Sequence, residues 1–363
     1  MNQQPSRGFT LLLSVASIVI VIWGMRQSAP LLVEVLLAIF IAIVCAPSLY
    51  WLQKKGLPTW LSMVVVILGM FSIAIGFIVL MGPSVTSFAN DLPQYKKEVI
   101  QTYEGVGEWF DKLNIVERLE KATGKNINIQ NSMGELLDVN KAFQFAQNVG
   151  TALGSALGGA FMIALTAIFI LLEASGFPQK LTALSGTTAK QSEFIFHRIL
   201  EDVRRYLVLK TLMCLLTGVL TGLFLYFLGL KYPFLWGALA FFLNYIPNIG
   251  SIIAAIPAVL LGLVDSGWVT AAWIVVGYVV INSLVGNFLE PKLFGKGLGL
   301  STLVIFLGLI FWGAILGPVG MVLSAPLTMV VKIVAETQKE TRWLAILLSS
   351  DASLHSESDL ASQ

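Results

Sequence analysis

The sequence predicts an all-α polytopic membrane protein, and three observations predict it. Hydrophobic residues make up 56% of the 363 and charged residues 12%, whereas a soluble domain carries roughly a quarter charged. Mean hydropathy is +0.81. The charges are bunched between apolar runs long enough to cross a hydrocarbon core of about 30 Å, which takes about 20 helical residues. Those runs must be helical, because a lipid-exposed backbone has to pair its N–H and C=O groups within the segment. The same composition excludes collagen-like, disordered and disulfide-scaffold chains.

About eight membrane segments can be placed. Residues 9–25 resemble a signal peptide with one preceding basic residue, Arg7, but lead straight into another apolar run, so they are expected to be an uncleaved first span. With residues 30–52 and 58–81 they form a three-span N-terminal bundle, 1–81. Residues 82–148 then carry seven Lys/Arg and nine Asp/Glu among apolar positions at helical spacing, the pattern of an extramembrane amphipathic helical insertion. Its charges are spaced like a solvated face rather than a catalytic constellation.

The fourth span, 150–172, opens with Gly150, Gly154 and Gly158, a small-residue stripe suited to close helix packing or a subunit interface. A polar, interfacial stretch at 173–205 leads into the fifth span, 206–230. Two segments then depart from simple spans. Residues 233–264 are interrupted around Asn244 to Ser251, and residues 300–334 around Gly317 to Gly320, so each predicts two short helices about a break. An ordinary span, 268–289, lies between them. Pro247, Gly250, Ala255 and Pro257 of the first break correspond to Pro318, Gly320, Ala325 and Pro326 of the second. Two re-entrant hairpins entering from opposite faces would make this an inverted repeat around a midplane site.

Basic residues give the orientation. With the N-terminus inside, the inner segments collect most of the Lys and Arg, including Lys54, Lys55, Arg204, Arg205, Lys292, Lys296 and Lys332, while the short outer turns hold Arg26 and Lys231. The insertion is then periplasmic, residues 149–335 form the core with two broken hairpins, and 336–363 form a polar cytoplasmic tail. The setting is a bacterial inner membrane, with both termini cytoplasmic.

Polar groups cost enough in a membrane that they are retained where paired, solvated or useful. Asn244, Asn248, Ser251, Asn282, Asn287, Glu290 and Ser324 gather in the C-terminal half, whereas the N-terminal bundle offers mainly Glu34 near an interface. They mark the expected path for a small polar solute or ion. Pro247 and Pro318 remove backbone donors and free carbonyls, Gly250 and Gly320 permit turns, and Pro257, Pro291, Gly295, Gly297 and Pro326 are further breaks or hinges. The asparagines offer donors and acceptors that suit a neutral, hydroxyl-rich molecule; alternatively they cap half-helices. Glu290 is placed to exchange a proton or bind a cation, or else to pair with Lys292 or Lys296 at the water boundary.

Other chemistries find little support. Net charge is +2, which points to no nucleic-acid partner. Cys45 and Cys214 are isolated in apolar runs and read as small hydrophobes. With only His197 and His355 in the chain, no metal site and no cofactor are expected. The absence of G-x-x-x-x-G-K-[ST] argues against ATP hydrolysis, and no nucleophile–base set argues for an enzyme.

The stretches FFLNYIPNIGSIIAAIPAVLLGLV, NFLEPKLFGKGLGLSTLVIFLGLIFWG and GPVGMVLSAPLTMVVKI resemble the C-terminal hallmark of the autoinducer-2 exporter family. The order of three spans, insertion and broken helices agrees. The resemblance implies export of small solutes, autoinducer-2 for some members and sodium or lithium exchange for protons in others, and a homo-oligomer, a pentamer. It places Asn244, Pro247, Asn248, Gly250, Glu290, Pro291, Gly295, Gly297, Pro318, Gly320 and Pro326 on the family pattern. Three functions follow: export of a small polar signalling molecule by secondary or passive transport, a proton-coupled monovalent-cation antiporter, and a non-transporting membrane scaffold.

Overall fold

The computed structural model describes residues 7–112, 159–173, 189–247, 249–294, 299–337 and 341–349. Among these the chain is helical, with a single antiparallel β-bridge between Leu300 and Ser349. The helices are α1 Arg7–Gln27, α2 Ala29–Lys54, α3 Thr59–Lys112, α4 Gly159–Glu173, α5 Ala189–Phe227, α6 Pro233–Leu243, α7 Gly250–Ser266 and α8 Trp268–Asn282. A π-helical segment Ser283–Leu289 follows, then α9 Glu290–Phe294, α10 Thr302–Val322, α11 Ser324–Glu336 and α12 Arg342–Leu348.

Among the described residues five helices are long and apolar enough to cross a bilayer: Ala29–Lys54, Thr59–Asp91, Phe194–Phe227, Trp268–Phe294 and Thr302–Val322; α4, α6 and α7 are shorter apolar helices. Their large side chains point outward, with Ile73 76% and Phe227 82% exposed, a surface that lipid tolerates and water does not. The chain is therefore an all-α, multi-pass membrane protein.

Central to the fold is α5. After it, Gly229 (φ 76°) and Tyr232 (φ 59°) adopt left-handed backbone and turn the chain back; Pro233, which needs no N–H in a first helical turn, then starts α6. Gly237 of α6 lies on Gly218 and Gly222 of α5 so closely that a Cβ on Gly218 would come within 2.7 Å of the Gly237 carbonyl oxygen. This is the small-xxx-small contact by which helices approach in lipid, and it presses α6 along α5. Two apolar cores sit at opposite ends of α5. One joins Val203, Tyr206 and Leu207 to α2, α9, α10 and α11; the other joins Leu225 to α3, α6, α7 and α8.

The first predicted break is present: α6 ends at Leu243 and α7 begins at Gly250. The second is present as well: within Thr302–Val322 the backbone of Gly317 is non-helical (φ 69°, ψ −152°), so two helices meet there, and a further separation from α11 falls at Leu323. Gly317 absorbs the change of direction, and Pro318 then occupies the first turn of a restarted helix, where its fixed φ fits. Three boundaries do differ. Helix α3 continues without interruption past residue 81 to Lys112, so no break separates the third span from the start of the insertion. From Ala189 onward the interfacial stretch and the fifth span are one helix, α5. Within the predicted polar tail, Arg342–Leu348 form α12, whose Ala345 is buried and whose Leu348 packs on the first core.

Candidate functional site

Between the two apolar cores, α5 presents a polar stripe. Lys210, Cys214, Thr217 and Thr221 recur every three to four residues and are all buried, so they lie on one helix face, extending about 16 Å at 1.5 Å per residue.

At one end of the stripe, Lys210 Nζ lies 2.8 Å from Glu290 Oε1, with the lysine side chain 4% and the glutamate 24% exposed. Glu290 reaches this position because α8 does not stop where the sequence suggested. Its last turn loosens into the π segment, in which the Glu290 N–H pairs with the Val285 carbonyl, five residues back. That change of register turns Glu290 toward α5, and π segments of this sort are frequent at functional sites. Tyr206 packs on Phe294 just beyond the pair, ring centroids 5.5 Å apart.

One and two turns farther along, Asn244 meets the stripe. Its Nδ2 donates to Thr217 Oγ1 at 3.3 Å and lies 3.7 Å from Cys214 Sγ, while Thr217 Oγ1 donates to the Met213 carbonyl at 2.9 Å. The side chain of Asn244 thus engages a neighbouring helix rather than capping its own. Next to it, Tyr245 Oη donates to Thr211 Oγ1 at 2.8 Å. Thr221, fully buried, is the one stripe residue whose hydroxyl finds no partner among the described residues.

The break itself is closed by a specific contact. Pro247 lacks the N–H that would reach the Leu243 carbonyl, which is instead taken by the Ile246 N–H at 2.9 Å. Gly250 packs over that same carbonyl, where a Cβ would come within 1.7 Å of its oxygen. The second break repeats the arrangement: a Cβ on Gly320 would lie 2.1 Å from the Trp312 carbonyl oxygen. There Ser324 donates to the Met321 carbonyl at 2.8 Å, and Trp312 Nε1 donates to Thr328 Oγ1 at 3.1 Å.

Asn244 and Glu290 are therefore joined through α5. Ser251 is buried at the start of α7, and Ser324 is buried at the second break. Asn282 lies against Gly286 within its own helix. Asn287 and Glu34 are exposed and stand apart from the stripe, as does Pro291. Pro257 lies inside α7 and Pro326 in the first turn of α11. Asn248, Gly295, Gly297, Gly150, Gly154 and Gly158 fall outside the described residues. The residues that sequence reasoning missed are on α5. Lys210 was the available signal, a charge in the middle of an otherwise apolar span.

Ionic contacts flank the stripe at both ends. Toward the α5–α6 turn, Lys231 Nζ lies 2.7 Å from Asp265 Oδ1, a hydrogen bond that raises the lysine pKa above its ordinary value; Tyr232 donates to Asp91 on the extension of α3. Toward the other end, Arg198 pairs with Glu336 at 3.0 Å, and Lys332 donates to the Gly299 carbonyl at 2.9 Å.

Comparison with known proteins agrees with this architecture. Residues 11–340 match the model of the AI-2E family transporters. The chain is 35% identical over 342 residues to the AI-2 transport protein TqsA of Escherichia coli (strain K12), covering 94% of this chain and 96% of that one. It is likewise 35% identical over 347 residues to the E. coli (strain K12) protein YhhT, covering 95% and 96%. Likeness extends to YrrI of Bacillus subtilis (strain 168), 26% identical over 317 residues, 83% and 84% of the two chains. A family match over nearly the whole length, on a multi-pass helical membrane fold, shows that this chain belongs to the AI-2E family of membrane transporters.

Proposed function

We propose that the chain exports a small, polar, uncharged signalling molecule of the autoinducer-2 type across the bacterial inner membrane, by secondary or passive transport. The observation that carries this reading is the buried contact of Asn244 with Thr217 and Cys214 at the α6–α7 break. Amide, hydroxyl and thiol groups offer hydrogen bonds without net charge, which suits a hydroxyl-rich solute better than an anion. The name of TqsA gives AI-2 as that relative's cargo. The two breaks act as the moving elements, re-entrant hairpins of an inverted repeat, with residues 82–148 periplasmic and both termini cytoplasmic. Their matching glycine-on-carbonyl contacts at Gly250 and Gly320 support a repeat. The working form is a homo-oligomer.

A second reading, a proton-coupled sodium or lithium antiporter, draws on the Glu290 carboxylate at the end of the same stripe. Flux into proteoliposomes separates them. Autoinducer-2 movement that is insensitive to sodium, and lost in Asn244→Ala and Asn248→Ala, supports export; a sodium-dependent pH change supports antiport. No flux in either assay would leave a scaffold.

A further inference from the structure

The ion pair of the buried Lys210 with the partly exposed Glu290 is used by neither reading. Among the described residues near it, Tyr206, Cys214 and Tyr245 are uncharged at neutral pH, and the next cation along the helix, Lys292, is exposed. The Glu290 carboxylate therefore has one buried cationic partner, the Lys210 ammonium at 2.8 Å. A carboxylate only 24% exposed still calls for an opposite charge beside it. Lys210 meets that requirement with a cation tethered to α5, so a free cation has to compete with a partner whose effective concentration is set by the fold.

We infer that Lys210 is a specificity-determining residue: it occupies, as a built-in ammonium, the place at Glu290 that a free monovalent cation would otherwise take. With the pair intact the stripe offers only neutral hydrogen-bonding groups, Asn244, Thr217 and the Tyr245–Thr211 hydroxyls, to an uncharged solute. Without Lys210 the same pocket becomes a sodium or lithium site. The inference rests on the reading that the solute path follows α5.

The test is thermal unfolding of the full-length purified protein in detergent, in sodium or lithium chloride against choline chloride at equal ionic strength. The wild type is expected to show no cation-specific shift. Lys210→Gln is expected to gain a saturable stabilisation of several degrees by sodium or lithium, and Lys210→Gln/Glu290→Gln to lose it. A Lys210→Gln protein recovered only when purified in sodium or lithium would support the inference equally. A folded Lys210→Gln protein indifferent to both cations would overturn it. So would a wild type stabilised by sodium through a site that the double variant lacks. No arm measures solute flux, so a failure to transport an autoinducer-2-type solute would count against the proposed function alone.

Discussion

Lys210 and Glu290, eighty positions apart in the chain, meet inside the helical bundle with Nζ 2.8 Å from Oε1. The contact ties the middle of α5 to the residue that follows the π segment after α8. Removing one partner leaves a buried charge unmatched, which costs about 3–5 kcal/mol, whereas removing both leaves neither. Glu290→Gln, which strands the buried Lys210, is expected to lower stability by that order, Lys210→Met, which leaves a carboxylate 24% exposed, by less, and the double substitution to recover most of the loss. Thermal unfolding of the four proteins in detergent, read as a double-mutant cycle, checks this.

The two breaks make a paired prediction. Gly250 and Gly320 each sit on a backbone carbonyl that cannot move away as a flexible side chain could. Gly250→Ala and Gly320→Ala should each destabilise by about 3 kcal/mol, the upper range of overpacking. Gly69, whose Cβ direction is open, is the control: Gly69→Ala should be neutral or stabilising by up to about 1 kcal/mol through helix propensity. Melting temperatures of the three variants decide it.

How much of this was legible in the sequence depends on the kind of signal. Hydropathy located the helices because lipid imposes a length and a composition on each span. The Pro and Gly of the 244–251 segment located the first break because they remove a donor and a Cβ. The same logic located the second at Gly317, where the backbone leaves the helical region, but gave no sign of the additional separation at Leu323. Asn244 and Glu290 were visible as polar residues in apolar surroundings. Their common partner α5 was not, because pairing across thirty and eighty positions depends on how helices are laid side by side. Lys210 was in plain view as a charge within a span. The π segment left no mark that periodicity could show.

Helix contact at Gly237 should matter to function as well as stability. Gly237→Ala would drive a methyl to within 2.7 Å of the Gly218 carbonyl oxygen and lift α6 from α5. A loss of about 1–3 kcal/mol is expected, together with reduced solute flux, because Asn244 at the end of α6 would draw away from Thr217. Flux and melting temperature measured on the same preparation test both parts.

The Lys231–Asp265 pair predicts a weak alkaline dependence. Asp265 raises the Lys231 pKa above 10.5, so the pair's contribution is fully present below that value and is lost as pH rises through the higher folded value. With the lysine side chain 51% exposed, solvent screening limits the effect to under about 1 kcal/mol. Asp265→Asn should lower the melting temperature slightly at neutral pH, and the gap to wild type should close in strong alkali.

The most direct test of the α5 stripe as the solute path uses its own thiol. Cys214 is fully buried beside Asn244, and a Cys45→Ser background leaves it the sole cysteine. In proteoliposomes with a small thiol reagent, Cys214 should react during solute flux and stay inert at rest, with modification stopping transport. Sustained flux with Cys214 unreactive throughout, or reaction that leaves flux unchanged, would contradict the account.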